Sequence, residues 1–267
     1  MDEVRGQLIG FREQAQMQKL IPQAPPMRVM GGSAKSAVTT DSLVEAAAIP
    51  NVSAYQVRGI DISHYQGAVD WTKVNADGLS FVYIKATEGA DGVDDRFAEN
   101  WAGAKTTSMA RGAYHFYNFC KTGAAQAAQV VKTVPVDADA LPLTIDLEES
   151  GDCKKMPAKA AFRKDLAAFV AKVQAAYGRA PILYVNYSIY DLYFKGESDA
   201  YKLWIADVKH EAPILPDGAA WTMWQYGWHA QIAGIGETDV DVFNGTPQML
   251  ASLGGDGSVL VASLGPR

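Results

Sequence analysis

The stretch LPLTIDLEES (residues 141–150), with AKAAFRKDLAAFVAKVQAAYG (158–178) and APILYVNY (180–187) after it, decides the fold of this chain. The first and third pieces are short apolar runs bounded by Pro and polar residues, which is typical of buried strands. The middle piece carries its apolar residues at helical spacing. A strand, a long helix and a second strand in this order predict a unit whose two strands run parallel.

The same alternation continues outward in both directions. We predict earlier strands at 56–63, 79–89 and 110–119, with helices at 69–76, 94–108 and 123–134. After the central unit we predict a helix at 188–194 and then strands at 201–208, 221–230 and 238–245, with no long helix between those strands. This pattern predicts an α/β fold, an irregular TIM-like barrel of about five β/α units plus three further strands.

Three regions differ in texture. Residues 1–57, with a Pro-, Gly- and Ser-rich piece, are predicted to be an N-terminal extension and linker. Residues 58–250 are predicted to form the barrel, and the Gly- and Ser-rich residues 251–267 a flexible tail.

Composition excludes several classes of protein. The 267 residues carry a formal net charge of −6 and no run of Lys or Arg, which argues against nucleic acid as the main partner. No stretch of about 18 apolar residues is present, so we expect no membrane span. The first residues lack the apolar core of a secretory signal. We therefore expect delivery by phage lysis or a secretion system, or a signal that is missing from this sequence.

Carboxylates mark the candidate site. Asp146 and Glu148 share one face of a strand, and both are expected to point into the barrel at its carboxyl-terminal end, where barrel enzymes hold their active sites. A salt-bridged or helix-capping pair is the structural alternative. Asp61, Glu88 and Asp239 lie on other strands and would converge on the same mouth, an arrangement that stability alone does not explain.

Eight segments in order carry a resemblance to a known family. They are GIDISHYQG, FVYIKATEG, GAYHFYNF, LTIDLEE, ILYVN, LWIAD, WTMWQY and DVDVFNG. Together they resemble glycoside hydrolase family 25, the lysozymes of the Chalaropsis type, over about residues 57–250. The resemblance implies an N-acetylmuramidase that acts in the cell wall, periplasmic or extracellular. Such an enzyme cuts the β-1,4 bond between N-acetylmuramic acid and N-acetylglucosamine in peptidoglycan and needs no cofactor.

The resemblance also assigns residues. Glu148 matches the general acid/base, Asp146 its partner acid, and Asp61 and Asp239 two further active-site aspartates, while Glu88 matches an acid of the second strand.

The last motif departs from the family pattern. It reads Asp-Val-Asp where Asp-x-Asn is expected, so Asp241 stands in place of an amide and is a candidate substrate contact. Asp239 and Asp241 lie on the same face, and the sequence leaves open which of them points inward.

The sequence leaves the stereochemistry open. Asp146 and Glu148 have Cα atoms roughly 6.5–7 Å apart on a strand, and retaining and inverting enzymes differ by only a few Å in the gap between carboxyl groups. In a third route the 2-acetamido group of the substrate attacks the anomeric carbon, with Asp146 orienting that amide.

Aromatic side chains are expected to shape the groove. Tyr114, Tyr184, Trp224 and Tyr226 are the candidate sugar contacts, and Trp204 is expected in the core. His64 and His115 lack the spacing of a zinc site, so no metal is expected.

Cys120 and Cys153 follow adjacent predicted strands, so a disulfide between their loops is feasible. Two other function classes remain. One is a barrel that binds the wall without turnover. The other is an assembly protein of a phage virion or secretion apparatus, which docks to a protein partner through residues 1–57.

Overall fold

The computed structural model describes residues 50–149 and 153–254. The predicted extension up to residue 49 and the predicted tail from 255 lie outside the described residues. The strands are β1 (Val57–Ile62), β2 (Phe81–Glu88), β3 (Gly92–Val93), β4 (Ala110–Phe116), β5 (Thr144–Leu147), β6 (Ile182–Val185), β7 (Lys202–Ala206), β8 (Met223–Ile232) and β9 (Gly236–Phe243). The helices are α1 (Trp71–Ala76), α2 (Phe97–Ala104), α3 (Gly123–Thr133), α4 (Lys159–Tyr177), α5 (Tyr187–Tyr193) and α6 (Pro247–Gly254).

The strands close into a barrel in the order β1-β9-β8-β7-β6-β5-β4-β2, because β2 also pairs with β1. β9 runs antiparallel to both of its neighbours, and the other barrel strands pair in parallel. Five strands are each followed by a helix that leads to the next barrel strand, and β7, β8 and β9 complete the closure. The predicted barrel of five β/α units plus three strands is confirmed.

Large aromatic side chains fill the closed interior of the barrel, and two of them pack directly over glycine residues of neighbouring strands. Phe81 and Tyr83 of β2 point inward and are fully buried. A Cβ atom at Gly59 on β1 would collide with the ring of Phe81, and one at Gly112 on β4 would collide with the ring of Tyr83. Trp204 packs on Tyr83 with ring centroids 4.9 Å apart, as expected for a core residue. This packing fills the lower barrel, so only the upper end can be open to solvent.

The helix α4 illustrates why the outer layer forms where it does. Its buried residues, Phe162, Leu166, Phe169 and Val173, recur at helical spacing and make one apolar stripe against the sheet. The helix ends at Gly178, which adopts the left-handed conformation that glycine tolerates best. Within the described ranges, no helix combines the length and the apolar character needed to cross a bilayer.

Described residues on both sides of the predicted barrel range, 58–250, also pack against the barrel. Before β1, the backbone N–H of Asn51 donates to the carbonyl of Glu211, and Tyr55 packs on Trp221 with ring centroids 5.7 Å apart. After β9, α6 runs through residue 254, and its Leu253 is buried in the cluster that closes the bottom of the barrel. Tertiary contacts hold these described residues on both sides of the predicted barrel range, although their local composition is typical of a linker and a tail.

A disulfide joins Cys120, after β4, to Cys153, in the loop after β5, with Cα atoms 5.4 Å apart. Both loops leave the carboxyl ends of their strands, so the bond ties two loops at the mouth of the barrel.

Removing this disulfide is expected to lower the free energy of unfolding by about 3 to 4 kcal/mol, because the bond closes a loop of 33 residues in the unfolded chain. Urea unfolding of a Cys120→Ser/Cys153→Ser protein would measure the loss. Dithiothreitol should lower the stability of the wild type by the same amount and leave the double variant unchanged. A wild type insensitive to the reductant would contradict the prediction.

Candidate active site

Asp146 and Glu148 project from β5 into the mouth of the barrel. Asp146 stands in register with Phe116 on β4 and Tyr184 on β6, and its side chain is buried with the residue 8% exposed. Its Oδ1 is enclosed and has no hydrogen-bond partner among the described residues. Glu148 follows the end of the strand and is half-buried. The pair thus consists of one deep carboxyl group and one that reaches the opening.

Asp61 and Asp239 face each other on the other side of the mouth. They are direct partners in the antiparallel ladder between β1 and β9, and both are half-buried. The side-chain amide of Gln225 on β8 donates to both, over 2.8 Å to Asp61 Oδ2 and 3.3 Å to Asp239 Oδ2. One amide nitrogen therefore holds two carboxyl groups in place.

Lys85 places a buried cation among these acids. Its Nζ lies 2.7 Å from Oε2 of Glu88 and 4.8 Å from the centroid of the Phe116 ring. Its charge lowers the pKa of Asp146 and of Glu148, which limits the rise that burial causes in both. Glu88, expected as a substrate contact, is half-buried and ion-paired at the rim.

Burial sets the protonation of the cluster. It raises the pKa of Glu148 to about 7, with a smaller contribution from the charge of Asp61. Burial, and then the charge of Glu148, raise the pKa of Asp146 well above its ordinary value. Burial raises the pKa of Asp61 to about 6, against the hydrogen bond from Gln225. Burial, then the charges of Asp61 and Glu148, raise the pKa of Asp239 to about 8.

These acids can exchange protons near neutral pH. A carboxyl group with a pKa near the working pH is populated both as a proton donor and as a base, which general acid–base catalysis requires. Among the described residues, no group of three or more His, Cys, Asp or Glu is arranged to hold a metal ion. The chemistry that the arrangement offers is proton transfer from one carboxyl group to a bound substrate with a second carboxyl group beside it, as in glycoside hydrolysis.

Comparison with known families decides the identity. The family model described as "Glycosyl hydrolases family 25" matches residues 60–235, from within β1 to the turn before β9. The chain belongs to glycosyl hydrolase family 25. It is therefore a glycoside hydrolase of the lysozyme and muramidase kind.

Relatives with names and structures agree with this assignment. Lysozyme M1 of Streptomyces globisporus is 34% identical over 74% of this chain and 71% of its own length. The N,O-diacetylmuramidase of Chalaropsis is 35% identical over 63% of this chain and 87% of its own length. The solved structure of a family 25 glycosyl hydrolase from Bacillus anthracis superposes with a TM-score of 0.71 at 34% identity, covering 76% of this chain and 95% of that one.

Two of the predicted sugar contacts lie on the wrong side of the sheet. Trp224 is 0% exposed and its indole N–H donates to the backbone carbonyl of Asp207 over 2.6 Å. Tyr226 packs against Trp224 with ring centroids 5.7 Å apart. Since side chains alternate along β8, the inward position between them belongs to Gln225. Neither aromatic ring faces the groove of this family 25 hydrolase.

Tyr114 and Tyr184, the other two predicted contacts, do point inward and are half-buried. The Tyr184 hydroxyl donates to Oε1 of Gln225 over 2.8 Å. Burial, and then the nearby carboxyl groups, raise the pKa of both tyrosines well above the ordinary value. Both therefore remain neutral donors at the wall of the site.

Asp241 also points inward but lies too deep to contact a substrate. It is fully buried, and the indole N–H of Trp204 donates to its Oδ1 over 3.1 Å. Asp241 lies on β9 and pairs with Gly59 of β1 on one side and Gln225 of β8 on the other, one inward position below Asp239. Asp239 and Asp241 therefore both face inward, but of the two only Asp239 reaches the mouth of the barrel.

Gln225 and Lys85 are two further groups of the site. Alternation turns Gln225 of the quoted WTMWQY motif away from Trp224, but its contacts with acids on other strands could not be predicted from the sequence. Lys85 stands in FVYIKATEG two residues after an inward tyrosine, so its inward position followed from alternation alone. A charged residue at an interior strand position was the available signal.

The variant Asp241→Asn is expected to be more stable than the wild type at pH 8. Burial raises the pKa of Asp241 well above its ordinary value, so the folded protein binds a proton that the unfolded chain has lost above about pH 4. Stability from this group is complete below pH 4 and declines as pH rises. Asparagine keeps an acceptor for Trp204 and carries no charge.

Urea unfolding of both proteins from pH 4 to 8 would test this. The variant should lose less stability across that range, although Asp61, Glu148 and Asp239, with pKa values of about 6, 7 and 8, keep part of the slope. Parallel curves for the two proteins would refute the assignment of a buried, protonated Asp241.

Proposed function

We propose that this family 25 hydrolase cleaves the β-1,4 bond between N-acetylmuramic acid and N-acetylglucosamine in peptidoglycan, with Glu148 as general acid and base. The observation that carries the proposal is the state of Glu148. It reaches the opening of a cleft lined by three further acids, and burial raises its pKa to about 7. A partly protonated carboxyl group at that position can meet a glycosidic oxygen.

In the first step Glu148 gives its proton to the glycosidic oxygen. The bond between that oxygen and the anomeric carbon breaks, and its electron pair stays with the oxygen, which leaves as a hydroxyl group. Glu148 is then a carboxylate. In the second step it takes a proton from the water that attacks the anomeric carbon, which restores the starting state.

Asp146 is assigned to the positive charge that develops at the anomeric carbon. In the route we favour, the carbonyl oxygen of the 2-acetamido group bonds to that carbon as the glycosidic bond breaks, and the new bond breaks in turn when water attacks. Asp146 holds the amide N–H and stabilises the cationic ring. Asp61 and Asp239, fixed by Gln225, would orient the attacking water and balance charge on the opposite wall. The depth of Asp146 supports a role next to the sugar ring, not at the leaving group.

The names of the relatives support a wall substrate, because lysozyme and N,O-diacetylmuramidase are among them. The site of action proposed here is therefore the cell wall, outside the cytoplasmic membrane, with glycan strands as the partner. We also propose that the catalytic unit spans residues 50–254 and that the residues before it form a separate extension, since Asn51, Tyr55 and Leu253 contact the barrel.

Digestion of purified peptidoglycan tests the function. Mass spectrometry of reduced products should find N-acetylmuramic acid at the new reducing ends. N-Acetylglucosamine ends would assign a different bond to the same hydrolase. Release of no fragment from walls of several chemistries would reject hydrolysis and favour a protein that binds the wall.

A further inference from the structure

Trp228 is an exposed aromatic residue at the acidic cleft. It is 36% exposed, whereas Trp204 is 2% exposed and Trp224 fully buried. Its indole N–H nevertheless has a fixed partner, because it donates to Oε1 of Gln225 over 3.0 Å. One edge of the ring is therefore anchored inside the site while part of the ring surface remains open to solvent.

The backbone around Trp228 is shaped to present it. The pairing of β8 with β9 shifts between Gly227 and Ala230, so Trp228 and His229 lie in a bulge outside the regular ladder. His229 adopts a left-handed conformation with φ of 63°, which is strained for a residue with a side chain. Its imidazole pairs with Glu237 on β9, which braces the bulge. Bulges of this kind re-aim side chains beside active sites.

Gln225 connects this bulge to the acids. Its residue is 2% exposed, and all parts of its amide group are used. Oε1 accepts from the Tyr184 hydroxyl and from Trp228, and Nε2 donates to Asp61 and Asp239. These donors and acceptors fix which way the amide faces. The aromatic wall and the acid pair therefore share one anchor.

We propose that Trp228 is a sugar-binding residue that stacks on a pyranose ring of the glycan strand, and that Gln225 is the positioning residue that sets Trp228 against the Asp61–Asp239 pair. A pyranose ring offers an apolar C–H face that suits an indole, and its hydroxyl groups suit the polar floor of the cleft. The inference rests on the proposed function and adds a residue that binds one of the sugar rings by stacking.

Binding tests the first half of the inference. The probe is a tetrasaccharide of alternating N-acetylglucosamine and N-acetylmuramic acid, titrated calorimetrically into a Glu148→Gln protein so that no turnover occurs. Adding Trp228→Ala should weaken Kd by about tenfold to a hundredfold. Trp228→Phe, which keeps a ring and loses the N–H, should lie between the two. Val131→Ala on α3, with a similarly exposed apolar side chain, should leave Kd unchanged.

The possible outcomes distinguish the sugar-binding role of Trp228 from the proposed function of the protein. Equal Kd values with and without Trp228→Ala would overturn the sugar-binding role while leaving the function intact. If the Glu148→Gln protein failed to bind the tetrasaccharide and the wild type failed to cleave it, the proposed function itself would fall.

The positioning role of Gln225 has a separate readout in Gln225→Glu. Glutamate keeps an acceptor for Trp228 and Tyr184 but replaces the donor to Asp61 and Asp239 with a negative charge. Asp61 on β1, Asp239 and Asp241 on β9, and Glu148 and Tyr184 are the titratable groups around this position. The kcat profile should shift to higher pH while the KM changes less than in Trp228→Ala. An unshifted profile in a folded variant would reject the positioning role.

Discussion

The Glu148→Gln protein is expected to lose about 10² to 10⁴-fold in kcat on peptidoglycan, the range that a general acid contributes. Glutamine has the same shape but no proton to give to the glycosidic oxygen. Its fold should be intact, because burial already favours the neutral form of Glu148 and raises its pKa to about 7. At pH 8 the variant should be at least as stable as the wild type, since a partly charged, half-buried group becomes neutral.

A matched control is provided by the next residue. Glu149 is exposed and follows Glu148 directly, so Glu149→Gln removes a neighbouring carboxylate and leaves the acid itself in place. The charge of Glu149 makes only the smallest contribution to the raised pKa of Glu148. Its kcat should remain within about twofold of the wild type. Initial rates on soluble glycan fragments, with thermal unfolding of each protein, would measure both effects. A Glu148→Gln protein that keeps more than a tenth of the wild-type rate would remove Glu148 from the mechanism.

The pH profile of the wild type follows from the same carboxyl group. Since Glu148 must carry a proton, kcat/KM is expected to fall as pH rises through about 7. Protonation of Asp61, whose pKa burial raises to about 6, would produce a decline on the acidic side.

The second large effect is expected from Asp146→Asn, which should lower kcat by about a hundredfold to a thousandfold. The amide is nearly the same size, but it cannot release a proton, so no negative charge can form beside the developing cation. Asp146 is buried and its Oδ1 has no partner in the described part of the chain, so the substitution breaks no hydrogen bond of that atom and should preserve the fold. Asp95→Asn, at an exposed carboxylate in the loop before α2, is the control and should be silent.

The stereochemistry of the first product tests the role given to Asp146. Attack by the 2-acetamido group, and then by water from the opposite face, leaves the anomeric configuration unchanged. Proton NMR during early hydrolysis by the wild type should therefore detect the β-anomer before mutarotation. An initial α-anomer would exclude the acetamido route and would make Asp146 a base that activates water.

Periodicity predicted the fold because the barrel is built from regular repeats. Alternation at period two on β5 placed Asp146 and Glu148 on one face, and the parallel strands implied by intervening helices brought Asp61 to the same mouth. The same rule, applied to β8, also placed Gln225 opposite to Trp224. Trp224 and Tyr226 were predicted as sugar contacts, but alternation leaves open which face of β8 is inward, and in the structure that face belongs to Gln225.

Depth along the barrel was not available from periodicity. Asp239 and Asp241 are equivalent by alternation, yet one reaches the mouth and the other is sealed beneath it. The depth of each aspartate depends on the register of β9 against β1, in which Asp239 pairs with Asp61 and Asp241 pairs with Gly59. Trp228 was not predicted as a sugar contact for a related reason. The bulge in β8 adds residues that have no partner on β9, which changes the direction in which the following side chains point.

The sequence by itself determined that this chain is a barrel with five β/α units and a set of acids at the carboxyl ends of its strands, because each of those features depends on local spacing. Its resemblance to family 25 came from eight motifs in order. Only the tertiary structure decided which acids are deep, which aromatic ring faces the cleft, and that Gln225 and Lys85 join the site. Those properties arise from strand register, bulges and closure of the barrel, which bring together side chains far apart in the chain and exclude water around them.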